Sequence, residues 1–340
     1  MRRARGCRQL SQRARGLRTA RAGEKMTTLV PPAKIGFIGL GNMGRPMAAR
    51  LAGAGYELHL LDKDASVAKS FAAERGGTVA PSLAALAGAA SAVITMLPDG
   101  KAVREVALGR DGLIDNLSAG SVVIDMSSSD PVGTRELGAA LLAKRIHLVD
   151  APVSGGVPRA RDGSLSTMVG GEDTVIARVR PVLESMAKHV FLTGSLGTGH
   201  AMKALNNLVS AGGLWIASEA LLIGERFGLS PERIVDILNA STGRNNSTEN
   251  KFKQHILSRS FASGFSLGLM AKDLRVAADL ATATGQASPL TRLCTELWSE
   301  AESKLGGSQD HTAIIKLLEE GAETGSTRQV RDKAALGGGP

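Results

Sequence analysis

A lysine and two amides fall at helical spacing in the second half of the sequence. The segment from Gly194 to Asn207 reads GSLGTGHAMKALNN. Within it Lys203 and Asn207 are four residues apart, so they share one face of a helix, and Asn206 and Ser210 extend this polar stripe. A buried lysine loses hydration, which lowers its pKa and allows proton exchange near neutrality. The alternative is a lysine whose long stem carries the amine out to solvent.

Three glycines near the start of the sequence follow the spacing G-x-G-x-x-G. Gly39, Gly41 and Gly44 come directly after an apolar run of strand length, and a helical pattern follows them. In a dinucleotide site the first glycine permits a tight turn, the second lets the backbone approach a pyrophosphate, and the third lets helix and strand pack closely. The helix N-terminus then offers N–H groups to the phosphates. The alternative is a structural strand–helix turn.

An acidic residue follows the glycines at the distance that a dinucleotide site predicts. A second strand pattern ends at Asp62, about twenty residues beyond the glycines. A carboxylate there accepts hydrogen bonds from the adenosine ribose hydroxyls and repels a 2′-phosphate, which favours NAD over NADP. Lys63 beside it keeps NADP as the alternative. The predicted cofactor segment comprises Gly39, Leu40, Gly41, Asn42, Met43, Gly44 and Asp62.

The order of strand and helix patterns predicts two folded parts. Up to Gly194 apolar runs of strand length alternate with helical patterns, and beyond it strand patterns stop. Such alternation predicts a parallel, doubly wound sheet, in which ligands bind outside the carboxyl ends of the strands. We predict a cofactor-binding domain over 33–195 and an all-helical domain over 196–322. An Arg-rich disordered or targeting segment over 1–32 and a disordered tail over 323–340 flank them.

The net charge of +9 is concentrated at the start of the sequence. Residues 1–25 hold eight Arg and one Lys against one Glu, a net +8, which leaves +1 for the remaining chain. A nearly neutral body argues against nucleic-acid binding. The Arg-rich stretch fits an organellar presequence, a basic tail, or residues upstream of a true start at Met26. We expect a cytoplasmic protein, or a mitochondrial one if the stretch is a presequence.

Cysteines and apolar runs exclude further classes of protein. Cys7 and Cys294 are the only cysteines, so the sequence predicts neither a disulfide framework nor a thiolate metal site, and we expect no metal. No apolar run approaches the roughly twenty residues of a membrane span, so we expect no membrane partner.

A short glycine-containing loop is a candidate anion site. Ser154, Gly155 and Gly156 form a loop whose N–H groups and hydroxyl can hold an anion. The alternative is an ordinary turn.

Four motifs in order resemble the β-hydroxyacid dehydrogenase family. They are residues 36–51, 150–163 and 194–207, and the triplet Lys272-Asp273-Leu274 followed by Ala277 and Ala278. The resemblance covers roughly residues 34–320. It implies an α/β fold in which an N-terminal Rossmann domain with a doubly wound parallel sheet precedes an all-α C-terminal domain. It also implies reversible oxidation of a small 3-hydroxy acid to its semialdehyde with NAD(P), in a homodimer or homotetramer.

The resemblance further implies roles for individual residues. Lys203 takes the hydroxyl proton during oxidation and returns it during reduction, and Asn207, with Asn206 beside it, orients the substrate. Lys272 approaches cofactor and substrate, and Asp273 fixes it. The implied sets are Lys203, Asn206 and Asn207 for catalysis; Leu97, Pro98, Ser128 and Lys272 for the cofactor; and Ser154, Gly155, Gly156, Lys272 and Asp273 for the substrate.

Several substrates and functions stay open. Asn207 is typical of 3-hydroxyisobutyrate dehydrogenases, whereas residues 125–128 and 310–313 look more like tartronate semialdehyde reductase or threonate dehydrogenase relatives. We favour 3-hydroxyisobutyrate slightly. Imine reductases share the architecture but lack a lysine at position 203. A non-catalytic NAD-binding interaction module is the more distant alternative. His200 and His311 are expected to be structural.

Overall fold

The computed structural model describes residues 27–320. The predicted tail, residues 323–340, lies outside this range, as do residues 1–26 of the predicted Arg-rich segment. Residues 27–32 are described, and Leu29 is only 5% exposed. Its N–H donates to the Arg178 carbonyl at 2.9 Å, and its own carbonyl accepts from the Tyr56 hydroxyl at 3.2 Å. The folded chain therefore begins a few residues before the predicted start at residue 33.

Nine strands of the described chain form one sheet. They are β1 (Lys34–Ile38), β2 (Glu57–Leu61), β3 (Thr78–Val79), β4 (Ala92–Thr95), β5 (Val122–Asp125), β6 (His147–Asp150), β7 (Val153–Ser154), β8 (Leu165–Gly170) and β9 (Ala187–Gly194). The first six neighbour one another in the order β3-β2-β1-β4-β5-β6 and all run parallel. This is the doubly wound order, so the predicted sheet is confirmed.

Three further strands extend the sheet beyond β6. β8 joins β6 in the antiparallel direction, through the pair of Asp150 with Gly170. β8 also pairs with β7 antiparallel and with β9 parallel. Asp150, at the end of β6, thus lies close to Gly194, where the chain leaves the sheet and enters the helices.

Both faces of the sheet are buried, which explains the uninterrupted apolar runs of its strands. Ile35, Phe37 and Ile94 pack into a core on one face, and their neighbours Ile38 and Val93 pack into a second core on the other. Helices cover these faces. They are α1 (Gly44–Gly53), α2 (Ala65–Arg75), α3 (Leu83–Ala89), α4 (Gly100–Leu108), α5 (Leu113–Asn116), α6 (Pro131–Ala143), α7 (Gly156–Asp162) and α8 (Asp173–Glu184).

Helices alone follow β9 in the described chain. They are α9 (Thr198–Phe227), α10 (Pro231–Ala240), α11 (Asn246–Asn250), a π-helix (Phe252–Leu257), α12 (Leu267–Thr284), α13 (Pro289–Leu305) and a 3₁₀ turn (His311–Ala313) that leads into helical residues 314–320. Leu214, Phe252 and Trp298 belong to a third core, which these helices enclose. The domain division at 195/196 stays a prediction.

Helix α9 is the longest of the described helices. Among the described residues it is the single helix long and apolar enough to cross a membrane by length and composition. In the structure it is the helix around which the others pack, with Leu214 and Leu221 buried.

Candidate active site

Two of the three motif glycines, Gly39 and Gly44, lie where a side chain would not fit. The third, Gly41, lies at the opening of a crevice. Gly39 has a φ of +96°, and a Cβ there would lie 2.3 Å from the Met96 carbonyl oxygen. A Cβ at Gly44 would lie 1.9 Å from the carbonyl oxygen of Gly39, whereas one at Gly41 would meet no protein atom within 4 Å. The turn, the close approach and the packing that a dinucleotide requires are therefore all present, and the residues fit this cofactor.

A crevice opens at the carboxyl ends of β1 and β4, where the strand order reverses. Seven residues predicted from the glycine motif and two from the resemblance line it together; these are Gly39, Leu40, Gly41, Asn42, Met43, Gly44, Asp62, Leu97 and Pro98. Ser128 and Lys272 line a neighbouring cavity with Asp125, Ser129 and Lys101. The switch point of a doubly wound sheet is where such folds bind dinucleotides.

Asp62 supports the glycine turn. One of its carboxylate oxygens accepts the N–H of Leu40 at 2.7 Å, and the other accepts the N–H of Asp64 at 3.0 Å. Each oxygen keeps a lone pair for a further donor. Lys63 and Arg161 line the same crevice, so cations also stand near this carboxylate.

Lys272 joins α12 to the loops that follow two strands. Its Nζ donates to the carbonyl of Pro98 at 3.1 Å and to that of Ser128 at 2.7 Å. The loop after β4 is also tied to the loop after β5, because the N–H of Leu97 donates to the Ser127 hydroxyl at 3.0 Å. The lysine thus lies where the sheet edge meets the helices, and it contacts Pro98 of the crevice wall.

Asp273 connects both halves of the chain at this point. Its side chain is 2% exposed; Oδ1 accepts from the Ser128 hydroxyl at 2.8 Å, and Oδ2 accepts from Nδ2 of Asn207. Asn206 in turn donates from Nδ2 to Oδ1 of Asn207 at 3.1 Å. Ser128 and Asn207 therefore contact the same carboxylate, although they lie 145 and 66 positions from Asp273 in sequence.

Lys203 is buried beside this carboxylate. It is 9% exposed, and among the described residues its amine has no hydrogen-bond partner. Burial lowers the pKa of Lys203; the charge of Asp273 opposes this, and that of Lys272 adds to it. A desolvated amine with free donors can hold or release a proton close to neutrality. This burial favours a lysine that exchanges protons over a lysine whose amine extends into solvent.

The first turn of α9 is fixed to the end of β6. Asp150, which is fully buried, accepts the N–H of Gly197 at 2.7 Å on one oxygen and the N–H of His200 at 2.8 Å on the other. Burial raises the pKa of Asp150, and the charge of His200 opposes that change. Gly199 packs so closely that a Cβ would lie 2.3 Å from the Met168 carbonyl oxygen. Lys203 follows one turn later, so its position is set from the sheet.

His200 is enclosed between buried polar groups. Its Nδ1 lies 2.8 Å from the Thr134 hydroxyl, and its Nε2 lies 3.6 Å from a carboxylate oxygen of Asp125. Asp125 also accepts from the hydroxyls of Thr95 at 3.0 Å and Ser129 at 2.7 Å. Sequence reasoning missed the roles of Asp125 and Asp150; the available signal was an acid directly after an apolar strand run.

The loop at Ser154 stands apart from these contacts. Gly155 and Gly156 have φ values of +129° and +69°, and α7 begins there without a side-chain cap. Among the described residues no hydrogen bond joins Ser154, Gly155 or Gly156 to Lys203 or Asn207.

Residues 27–320 contain no group of three or more His, Cys, Asp or Glu side chains that could hold a metal ion.

Comparisons with known proteins cover both halves of the chain. A family model described as the NAD binding domain of 6-phosphogluconate dehydrogenase matches residues 34–194. A second one, described as NAD-binding of NADP-dependent 3-hydroxyisobutyrate dehydrogenase, matches residues 197–318.

Two curated relatives and one solved structure show how far the similarity extends. The chain is 39% identical to a mitochondrial 3-hydroxyisobutyrate dehydrogenase of Mus musculus, over 84% of this chain and 87% of the relative. It is 34% identical to a 2-hydroxy-3-oxopropionate reductase of Escherichia coli, over 84% and 97%. The structure of Mycobacterium tuberculosis 3-hydroxyisobutyrate dehydrogenase with L-serine superposes with a TM-score of 0.78 at 34% identity, covering 84% of this chain and 99% of that one.

Proposed function

The chain belongs to the β-hydroxyacid dehydrogenase family, and from this premise we propose that it oxidises 3-hydroxyisobutyrate reversibly to its semialdehyde with NAD as hydride acceptor. It is an NAD(P)-dependent 3-hydroxyacid dehydrogenase. The observation that carries the proposal is the buried amine of Lys203 beside Asn207 and Asp273, which has no hydrogen-bond partner within residues 27–320. Asn207 is the residue that favours 3-hydroxyisobutyrate among the family's substrates.

Lys203 is the group that moves a proton in this proposal. A nicotinamide bound in the crevice would supply the acceptor for the hydride of the carbon that bears the hydroxyl. Lys203, uncharged, takes the hydroxyl proton as the carbon–oxygen double bond forms, and returns it in the reverse reaction. Since burial lowers its pKa, the amine is uncharged in a larger fraction of molecules at neutral pH than an exposed lysine.

Asn207 and the Ser154 loop supply orientation. The amide of Asn207 has two N–H donors, and Asp273 takes one, which leaves the second for the substrate oxygen. Its carbonyl is held by Asn206, so the amide cannot rotate freely. Ser154, Gly155 and Gly156 bind the substrate carboxylate through N–H groups and a hydroxyl, and Lys272 and Asp273 support the reacting end.

NAD is the preferred cofactor in this proposal. Asp62 lies at the glycine turn, where its free lone pairs accept ribose hydroxyls and its charge repels a 2′-phosphate. Lys63 and Arg161 line the same crevice and support NADP as the alternative.

We expect the purified protein to form NADH when NAD is supplied with 3-hydroxyisobutyrate, faster than with glycerate, threonate or serine, and faster than NADPH forms from NADP. Absorbance of the reduced cofactor measures this. A preference for glycerate would instead assign a 2-hydroxy-3-oxopropionate (tartronate semialdehyde) reductase, which Asp310-His311-Thr312-Ala313 supports. No turnover on any of them, with NAD binding retained, would assign a non-catalytic NAD-binding module.

An exposed apolar row on α9 supports the proposed homodimer or homotetramer. Val209, Ile216 and Ile223 follow one another at seven-residue intervals and are 75%, 61% and 69% exposed. Such spacing is typical of helices that pack against a partner helix. Sedimentation velocity tests this, and a purely monomeric protein would contradict it.

The cytoplasmic location, with the mitochondrion as the alternative, stays a prediction.

A further inference from the structure

Two neighbouring strands end in buried carboxylates that lie side by side. Asp125 of β5 and Asp150 of β6 are register partners at the carboxyl edge of the sheet, and they are 2% and 0% exposed. Register partners on neighbouring strands direct their side chains to the same face of a sheet. Two ionised carboxylates placed together repel each other, and burial strengthens this repulsion unless a cation lies with them.

Peptide N–H groups hold both of these acids in the ionised form. Asp125 accepts the N–H of Ser127 at 3.0 Å, and Asp150 accepts those of Gly197 at 2.7 Å and His200 at 2.8 Å. Hydrogen bonds of this kind stabilise the charged form of a carboxylate. Burial raises the pKa of Asp150, and the charge of His200 opposes that change. The two acids therefore need a nearby positive charge.

The ring of His200 lies between the two carboxylates. Its Nε2 lies 3.6 Å from Oδ2 of Asp125, and its Nδ1 lies 3.9 Å from Oδ2 of Asp150. Within residues 27–320 no lysine or arginine forms an ion pair with either acid. The ring is therefore the group that is placed to supply the compensating charge.

The hydrogen bonds around the ring indicate where its protons are. The Thr134 hydroxyl donates to the carbonyl of Asp130 at 2.8 Å, so its oxygen accepts from Nδ1 of His200, also at 2.8 Å. The other ring nitrogen, Nε2, is buried without a hydrogen-bond partner in the described chain and faces Asp125. A bare Nε2 would set a lone pair against a carboxylate oxygen, whereas a protonated Nε2 is attracted to it. The arrangement thus requires a proton on both nitrogens, which makes the ring a cation.

This contact joins the two sides of the proposed site. The loop that follows β5 carries Ser128, which reaches Asn207 through the carboxylate of Asp273. His200 comes three residues before Lys203 and seven before Asn207, so all three share one face of α9. The contacts therefore form a closed ring, which runs from the end of β5 through this loop to α9 and back through His200.

We propose that His200 acts as a cation between the two carboxylates and is thereby a positioning residue for Lys203. This inference rests on the proposed function, because it assumes that Lys203 exchanges the proton. Without the cation the carboxylates repel each other, the first turns of α9 shift from the sheet edge, and the amine of Lys203 no longer meets the substrate hydroxyl. The glycine turn follows β1 and lies outside this ring of contacts, so cofactor binding is not part of the role.

His200→Gln removes the cation and keeps a polar side chain, and His189→Gln is the matched control. We expect His200→Gln to lower kcat about 10²-fold, the loss typical of misplaced reacting groups, and to leave the Kd for NADH within about twofold. His189 is exposed on β9, so its replacement leaves both quantities unchanged. A role confined to stability would lower the Tm alone, so a wild-type kcat in folded His200→Gln overturns the proposal.

A double-mutant cycle tests whether Asp125 and His200 act through the same contact. Asp125→Asn removes the charge on the other side, and we expect it to lower kcat at least as much as His200→Gln. The double variant is expected to be within about threefold of the slower single variant, because one contact cannot be lost twice. Losses that multiply would mean independent roles and overturn the proposal.

The ring nitrogens of His200 separate this inference from the proposed function. Nitrogen NMR of the full chain with isotope-labelled histidine distinguishes protonated from bare ring nitrogens, and His200→Gln assigns the signals by removing them. An exposed histidine is mostly uncharged at neutral pH, whereas we expect two protonated nitrogens for His200. One bare nitrogen overturns the proposal. Should no hydroxy acid be turned over, the proposed function fails, yet these signals still decide whether His200 is the cation.

Discussion

Lys203→Ala is expected to lower kcat about 10³-fold while the Kd for NADH stays unchanged. Positioned proton transfer contributes about 10²- to 10⁴-fold, and Lys203 is the buried amine beside Asn207 with free donors. The side chain lies on α9, whereas the glycine turn that is proposed to bind the cofactor follows β1 of the sheet. Steady-state rates and a fluorescence titration with NADH measure the two quantities.

Lys203→Arg separates proton transfer from charge. A guanidinium keeps the positive charge but does not deprotonate in this pH range, so this variant is expected to be as slow as Lys203→Ala. In the wild type, oxidation requires the uncharged amine, and burial lowers the pKa of Lys203. The rate therefore falls as pH drops through a value below that of an ordinary lysine. Retained turnover in either variant would remove Lys203 from the mechanism.

Asp273→Asn is expected to lower kcat about 10²-fold and to move the acidic limb of the rate profile to lower pH. The carboxylate accepts from Ser128 and Asn207 at once, and an amide offers a single acceptor oxygen. The loosened Asn207 then misplaces the substrate, for which a 10²-fold loss is typical. The charge of Asp273 also raises the pKa of Lys203, so its removal lets that pKa fall further.

The matched control for this variant lies on the same helix. Asp279 is exposed on α12, and Asp279→Asn is expected to leave both the rate and its pH profile unchanged. The decisive readout is the limb of the pH profile, because a merely structural loss lowers the rate at every pH without moving it. A limb that stays in place in Asp273→Asn would contradict the electrostatic coupling to Lys203.

Sequence reasoning reached the features that depend on local geometry. The spacing of Gly39, Gly41 and Gly44 is set by the turn itself, and the four-residue step from Lys203 to Asn207 by the helix period. The crevice and the parallel sheet could therefore be predicted. The position of Lys272 came from the resemblance, because nothing local indicates that its amine will meet the carbonyls of Pro98 and Ser128.

Contacts between distant residues were out of reach of the sequence. Asp150 accepts N–H groups that lie 47 and 50 residues later, and Asp273 accepts a hydroxyl 145 residues earlier. Their partners are mostly backbone groups and serines, which leave no pattern of residue types. The packing of Leu29 was missed for the same reason, since its partners belong to Arg178 and Tyr56.

The attachment of α9 to the sheet through Asp150 has a consequence for how such a chain diversifies. Lys203, proposed to exchange the proton, takes its place from the end of β6, whereas most of the remaining helical half is held by its own apolar core. Mutation can therefore change what is recognised without moving the reacting centre. An engineer who wishes to retarget this enzyme would vary residues of the helical half and leave the junction of β6 and α9 untouched.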